Sequence, residues 1–297
     1  MLVRHVALVV EKSRVKPSEV SKVAAALQKQ VTRDFSPMWE VRATVDSFTR
    51  LEDVPIGYWP VIVMDKVQDA AGYHDDQDGQ PFSLVEFDPD WPLTASHEVL
   101  EMLADPFGRR LVAGQSPRKS QGRVSFLVEV CDPCEDTEFA YTVNGILVSD
   151  FYTPEYFDPT IVTGKQYSYT GAITAPRQVL KGGYLSWRDP VSKHWFQLQR
   201  FSSRARTVDL GARGKAGRAR NADDQTIVDL GIKTEGGSLR AWVDRRTNAA
   251  SLAAMRAGGK AQLKAFHDVR AGSERATKAK AIELRAHIRR LTKPSKA

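Results

Sequence analysis

The run Ser96-His97-Glu98-Val99-Leu100-Glu101-Met102-Leu103-Ala104-Asp105-Pro106 gathers side chains that can bind a cation and move a proton. Wound as an α-helix, it puts His97 and Glu101 four residues apart on one face, with Asp105 a further turn along the same line. An imidazole nitrogen and two carboxylates would then converge as ligands of a divalent metal ion. Glu98 follows His97 and is offset around the helix, where a carboxylate can act as general base on a metal-bound water. Zinc is the first expectation for the ion. A carboxylate-rich set also suits harder ions such as manganese or magnesium.

A second acidic cluster, Glu129, Asp132, Glu135 and Asp136 in LVEVCDPCED, follows a predicted strand. Strand ends and the loops after them are where α/β folds place ligands, so Asp132 is expected as a metal ligand facing the helix, with Glu129 beside it. Asp150 is a further candidate for a supporting or substrate-contacting role, and Tyr152 or Tyr156 could donate a hydrogen bond to an oxyanion. Plainer readings stand beside these. Glu98 and Glu101 could be a charged face complementing the dipole of a helix N-terminus, and His97 with Glu101 an ordinary i,i+4 pair. Cys131-Asp132-Pro133-Cys134 has redox spacing but lacks the second pair of a four-cysteine zinc site. His74-Asp75-Asp76-Gln77-Asp78-Gly79 resembles part of a calcium loop without its closing Glu, and reads as a solvated turn. The six tryptophans read as core or pocket walls.

Positioning those residues requires a layered scaffold. Residues 3–10 (VRHVALVV) read as a buried strand, Pro17-Ser18 opens an amphipathic helix, and 39–48 alternate as a half-buried strand. Residues 59–64 and 82–87 add buried strands, and a helix is expected from Thr94 as its cap to Ala104, stopped by Asp105-Pro106. Residues 123–131 form another strand, and Asn144-Gly145 between β-rich runs predicts a type I′ hairpin. Residues 156–201 read as short strands and loops. The fold class is therefore α/β, with α+β as the variant, built on a mixed sheet.

The H-E-x-x-E pattern over 97–101 resembles the H-E-x-x-H helix of zincin metallopeptidases, with Glu101 where that motif has its second His. TASHEVLEMLADP, VEVCDPCED and VSDFYTPEYF also resemble a group of uncharacterised bacterial and phage proteins of metallopeptidase-like type, across roughly residues 1–200, a single-domain length. The resemblance implies a zincin-like active-site helix beneath an edge strand that pairs with the substrate. It also implies a metal-dependent hydrolase acting on a peptide or protein.

Charge divides the chain. Residues 1–199 hold 20 Lys/Arg against 27 Asp/Glu, and residues 200–297 hold 23 against 9. The acidic part is expected as a hydrolase domain over 1–201, followed by a basic flexible linker at 202–225 and a basic, partly helical tail at 226–297. Residues 202–297 could hold nucleic acid non-specifically, or an acidic protein surface. No run is long and apolar enough for a transmembrane segment, and two cysteines build no disulfide framework, so the expected location is cytoplasmic. The competing functional expectation is a non-enzymatic phage or prophage-type structural or accessory protein. Its metal site would be closed by protein ligands, and its tail would bind nucleic acid or a partner.

Overall fold

Largely apolar runs make strands that can be covered on both faces, and three such strands with one half-buried, alternating edge strand form the parallel part of the first sheet. The computed structural model describes residues 2–11, 15–67, 70–213 and 238–258, with isolated positions from 268 to 285. Strand β1 (Val3–Val10) leads to helix α1 (Pro17–Lys29), a π-type turn (Gln30–Phe35) and the short helix α2 (Ser36–Trp39). Then come β2 (Arg42–Phe48), β3 (Tyr58–Met64), β4 (Gly72–Gln77), β5 (Gln80–Glu86) and helix α3 (Trp91–Ala104). The sheet order is β2-β1-β3-β5-β4, parallel except for β4, which runs antiparallel along the edge next to β5. Both α1 and α3 pack on this sheet, and Val6, Leu8, Val61, Val63 and Val85 join Val23, Leu27, Val99 and Leu103 in one core.

A second, antiparallel sheet contains β6 (Leu111–Gln115), β7 (Arg123–Leu127), β10 (Tyr184–Arg188), β11 (His194–Gln199) and β12 (Arg206–Ala212), in the order β12-β11-β10-β7-β6. Between β7 and β10, strands β8 (Tyr141–Val143) and β9 (Ile146–Val148) form the hairpin expected at Asn144-Gly145, whose φ angles are 51° and 74°. Both values are positive, as a type I′ turn requires. Mixed helix and sheet thus agree with the α/β class read from the sequence.

Several boundaries differ from the sequence reading. Helix α3 begins at Trp91, a turn before Thr94, because Pro92 lies in the first turn, where its missing N–H leaves nothing unbonded. Trp39 belongs to α2, and the turn-rich run at 74–79 is a strand and a tight turn. The largest difference concerns the basic part. Residues Met1–Gly258 form one compact unit, with Gly259–Ala297 a second. The domain end expected at 201 therefore moves to 258. Strand β12 lies inside the expected linker and pairs with β11. Helix α4 (Leu239–Gly258) lies inside the expected tail, and its Leu239, Trp242 and Val243 pack on Leu127 and Trp195. Few apolar residues mark α4, but three of them at i, i+3 and i+4 suffice to seat one face. The remainder of the expected linker, residues 214–225, lies outside the described residues, as does most of 259–297; 278–283 are helical. No helix among the described residues is long and apolar enough to cross a membrane.

A chain ending at 201 should therefore lose cooperative melting, whereas one ending at 258 should melt like the full chain. Trp242→Ala should cost about 3 kcal/mol, the usual penalty for emptying an aromatic site, measured by urea unfolding.

Candidate metal and active site

Helix α3 is nearly apolar all round because β4, β5 and the β8-β9 hairpin enclose it, so its three charged side chains have nowhere to go but a buried cleft. Ser96 ties the helix down from below. Its hydroxyl donates to Gln30 Oε1 at 2.8 Å and accepts from the Ser149 amide at 2.9 Å. Above the helix, β4 comes so close at Gly72 that a Cβ there would stand 2.7 Å from Thr94 Cγ2 and 3.1 Å from Glu98. Glycine is the residue that permits this approach.

His97 Nε2 lies 3.3 Å from Glu101 Oε2 and 3.3 Å from Asp132 Oδ1, bringing together the helix and the loop after β7 as the sequence predicts. The amide of Cys131 donates to Glu101 Oε1 at 3.1 Å, so the same loop that carries Asp132 also orients Glu101. Burial works against a charged imidazole at His97, but Glu101 and Asp132 outweigh it and hold its pKa well above 6.5. Burial also pushes Glu98 up from 4.5 to about 8 and, helped by the charge of Glu101, Asp132 up from 3.8 to about 7. Glu129 and Glu135 are raised well above 4.5 by the same burial.

Two further groups complete the cleft, and neither was expected. Arg240, from the first turn of α4, is 3% exposed and inserts its guanidinium among the acids. Its Nη1 donates to Glu101 Oε2 at 2.5 Å and to His74 Nδ1, while its Nε donates to Asp244 Oδ2 at 2.9 Å. Glu129 Oε2 pairs with the same Nη1 at 2.8 Å as an ion pair, without the geometry of a hydrogen bond. Burial would raise Glu101, but Arg240 and then His97 outweigh it and keep it well below 4.5. The second group is His74, on β4, fully buried; its Nε2 donates to the carbonyl of Asp105 at 3.1 Å. Burial and then Arg240 lower its pKa, so the ring is neutral, protonated on Nε2, with the Nδ1 lone pair facing the cleft.

Some predicted residues do not join this centre. Asp105 follows the last turn of α3 in a non-helical conformation, and its Oδ2 accepts the Arg110 amide at 2.6 Å, so it is not in line with His97 and Glu101. Asp150 is taken by the amide and hydroxyl of Thr170 at 3.0 and 2.7 Å. Tyr152 accepts the Glu129 amide at 3.0 Å and so positions that residue, while Tyr156, stacked on it at 4.3 Å, donates to the Gln178 carbonyl. Both hydroxyls thus bond backbone groups, Tyr152 as acceptor and Tyr156 as donor. Asp136 caps the turn that follows it, accepting from the Glu138 amide. Both cysteines are free thiols whose burial raises their pKa, which does not suit a redox pair.

The unexpected residues had faint signals. Asp78-Gly79, with φ of 52° and 83°, is a two-residue hairpin turn, and reading it so places His74 on a strand beside the helix. In α4, Arg240, Asp244, Thr247 and Ser251 recur at helical spacing as a buried polar stripe beside the apolar one, and Ser251 donates to Glu135 Oε1 at 2.6 Å.

Three groups of side chains could each hold a metal ion: His74, Glu98 and Glu101; His97, Asp132 and Glu135; and Glu101, Glu129 and Asp132. Within each, the ligand atoms lie within 4.8 Å of one another. Fold and site together define an α/β protein with a buried acidic cleft, able to hold a cation, between an edge strand, a central helix and the α4 segment. Comparison with family models, curated proteins and solved structures finds no match.

Raised carboxyl pKa values fix the sign of the pH dependence. Glu98 and Asp132 bind protons more tightly folded than unfolded, so stability falls as pH rises from about 4 through 7–8, and the raised His97 adds to the fall above 6.5. Metal-free protein should melt at progressively lower temperature from pH 5 to pH 8.5 or so. Glu98→Gln, which mimics the protonated acid, should flatten that profile and raise the melting temperature at its alkaline end.

Proposed function

We propose that the protein is a metal-dependent hydrolase, a divergent relative in kind of the zincin peptidases, acting on a peptide or protein. The observation that carries the reading is the state of the acids. Among the described residues, five buried side-chain atoms lack a hydrogen-bond partner, and four of them are Glu98 Oε2, Glu129 Oε1 and Oε2, and Asp132 Oδ1. Glu129 Oε2 and Asp132 Oδ1 face Arg240 and His97 as ion pairs at 2.8 and 3.3 Å, whereas Glu98 Oε2 and Glu129 Oε1 have no such close partner. Buried carboxyl oxygens left without hydrogen bonds are costly, and a cation would satisfy them. His97, Glu101 and Asp132 would hold the ion, with Glu135 beside them. Nitrogen plus carboxylate ligands suit zinc first, and manganese or magnesium next. A divalent ion there would supply Lewis-acid polarisation of a water or carbonyl oxygen.

The protein's own groups then have separable tasks. Glu98 neighbours His97 in sequence but lies around the helix from it, and a carboxyl poised at about 8 is suited to passing a proton near neutral pH. His97, 13% exposed at its side chain, opens the site towards the cleft lined by Gly72, Leu93 and Thr94. Antiparallel β4 forms the rim, as the edge strand does in a zincin-like layout. Trp39 and Tyr152 support from behind, the indole donating to the Tyr152 carbonyl at 2.9 Å.

His97→Ala, Glu101→Ala and Asp132→Ala should each lose the bound ion and hydrolysis together. Glu98→Gln should keep fold and ion while turnover falls by roughly 10²- to 10⁴-fold, the usual contribution of a positioned base. Elemental analysis and turnover on a peptide library check this; variants that match the wild type in both would rule the reading out. Protons on His97 and Asp132 must leave for the ion to bind, so affinity should rise as pH passes about 7, where Asp132 titrates, and rise further as the raised His97 loses its proton.

A further inference from the structure

The Arg240 guanidinium stands where the surrounding side chains are arranged as metal ligands. His74 donates Nε2–H to a backbone carbonyl, as metal-binding imidazoles commonly do, and so presents the Nδ1 lone pair inward. That Nδ1 lies 3.6 Å from Glu98 Oε2 and 3.8 Å from Glu101 Oε2. All three residues are buried, and Glu98 Oε2 has no hydrogen-bond partner. A cation already sits among them, delivered by a helix whose hold on the protein is separate. Leu239, Trp242 and Val243 seat α4 on Leu127 and Trp195, and Thr247 bonds Gln197 at 3.0 Å, without any help from the guanidinium.

We propose that His74, Glu98 and Glu101 form a second cation site, in which the Arg240 guanidinium and a divalent metal ion are interchangeable occupants. It deepens the hydrolase reading and shares two residues with it: Glu101, which would join this inner site to the outer one at His97 and Asp132, and Glu98, whose carboxyl is a free base while Arg240 fills the inner position and a ligand once an ion replaces it. Two cations joined by one carboxylate are an arrangement that clamps attacking and leaving oxygens in hydrolysis. Arg240 therefore acts as a tethered cation that keeps the inner position closed until it withdraws.

Metal stoichiometry tests this on the full-length chain. Wild type, Arg240→Met and Arg240→Gln are loaded with Mn²⁺ or Zn²⁺, dialysed and subjected to elemental analysis. Each Arg240 variant should hold one more ion per chain than the wild type, and adding His74→Ala should remove that ion alone. No gain over the wild type, or a wild type that already holds two ions, overturns the proposal. So does failure of both variants to fold in millimolar metal, since the ion should replace the missing charge. A wild type with no ion and an Arg240→Met variant with one, lost on His74→Ala, upholds the inner site while the outer-site hydrolase reading falls. One ion in both does the reverse.

Discussion

Taking a carboxylate out of water costs several kcal/mol unless a partner replaces the lost hydration. Six carboxyl groups, Glu98, Glu101, Glu129, Asp132, Glu135 and Asp244, are each buried to within a few per cent around one cleft. Against them stand one guanidinium and one imidazolium, Arg240 and His97. The shortfall is why burial drives most of these acids towards their protonated forms and why Glu101, which touches both cations, alone goes the other way. The rest of the structure is organised around that unequal balance.

Geometry follows from it. An acid on α3 can reach an acid on the loop after β7 only if the two sheets meet along the helix, and the Ser96, Gln30 and Ser149 bonds lock that junction. The Cys131 amide donates to Glu101 and the Tyr152 hydroxyl accepts the amide of Glu129, so both sides are held through backbone N–H groups that do not titrate. Gly183 is equally tied in, since a Cβ there would stand 2.5 Å from the Asp132 carbonyl. Charge is thus concentrated by rigid neighbours, the usual condition for a site with perturbed acids.

Local signals in the sequence lead as far as local signals can. The central parallel strands announce themselves as apolar runs and the edge strand at 42–48 by alternation, the Asn144-Gly145 turn by its residue pair, and His97, Glu101 and Asp132 by their place on a helix face and a strand end. Asp105 misleads because a helix line drawn through it assumes one more turn than Asp105-Pro106 allows. His74 and Arg240 are missed for a different reason. Each reaches the cleft through contacts remote in sequence, 31 residues to Asp105 and 139 to Glu101, and no period or spacing encodes such a meeting. The basic composition after residue 200 concealed Arg240 further, because an average over many lysines and arginines says nothing about one of them being buried.

The position of Arg240 in the chain has a consequence for biosynthesis. Five of the six acids are translated before it, and Glu129 precedes it by more than a hundred residues. A nascent chain that has already emerged with α3 and β7 has no guanidinium to place between their carboxylates. Until α4 leaves the ribosome, the cleft must be filled by protons, by an ion from the surroundings or by water in a loosened fold. The last large helix of the compact unit is therefore also its final counter-charge, and until it arrives the acids of the acidic half have His97, protons or ions from the surroundings to balance them.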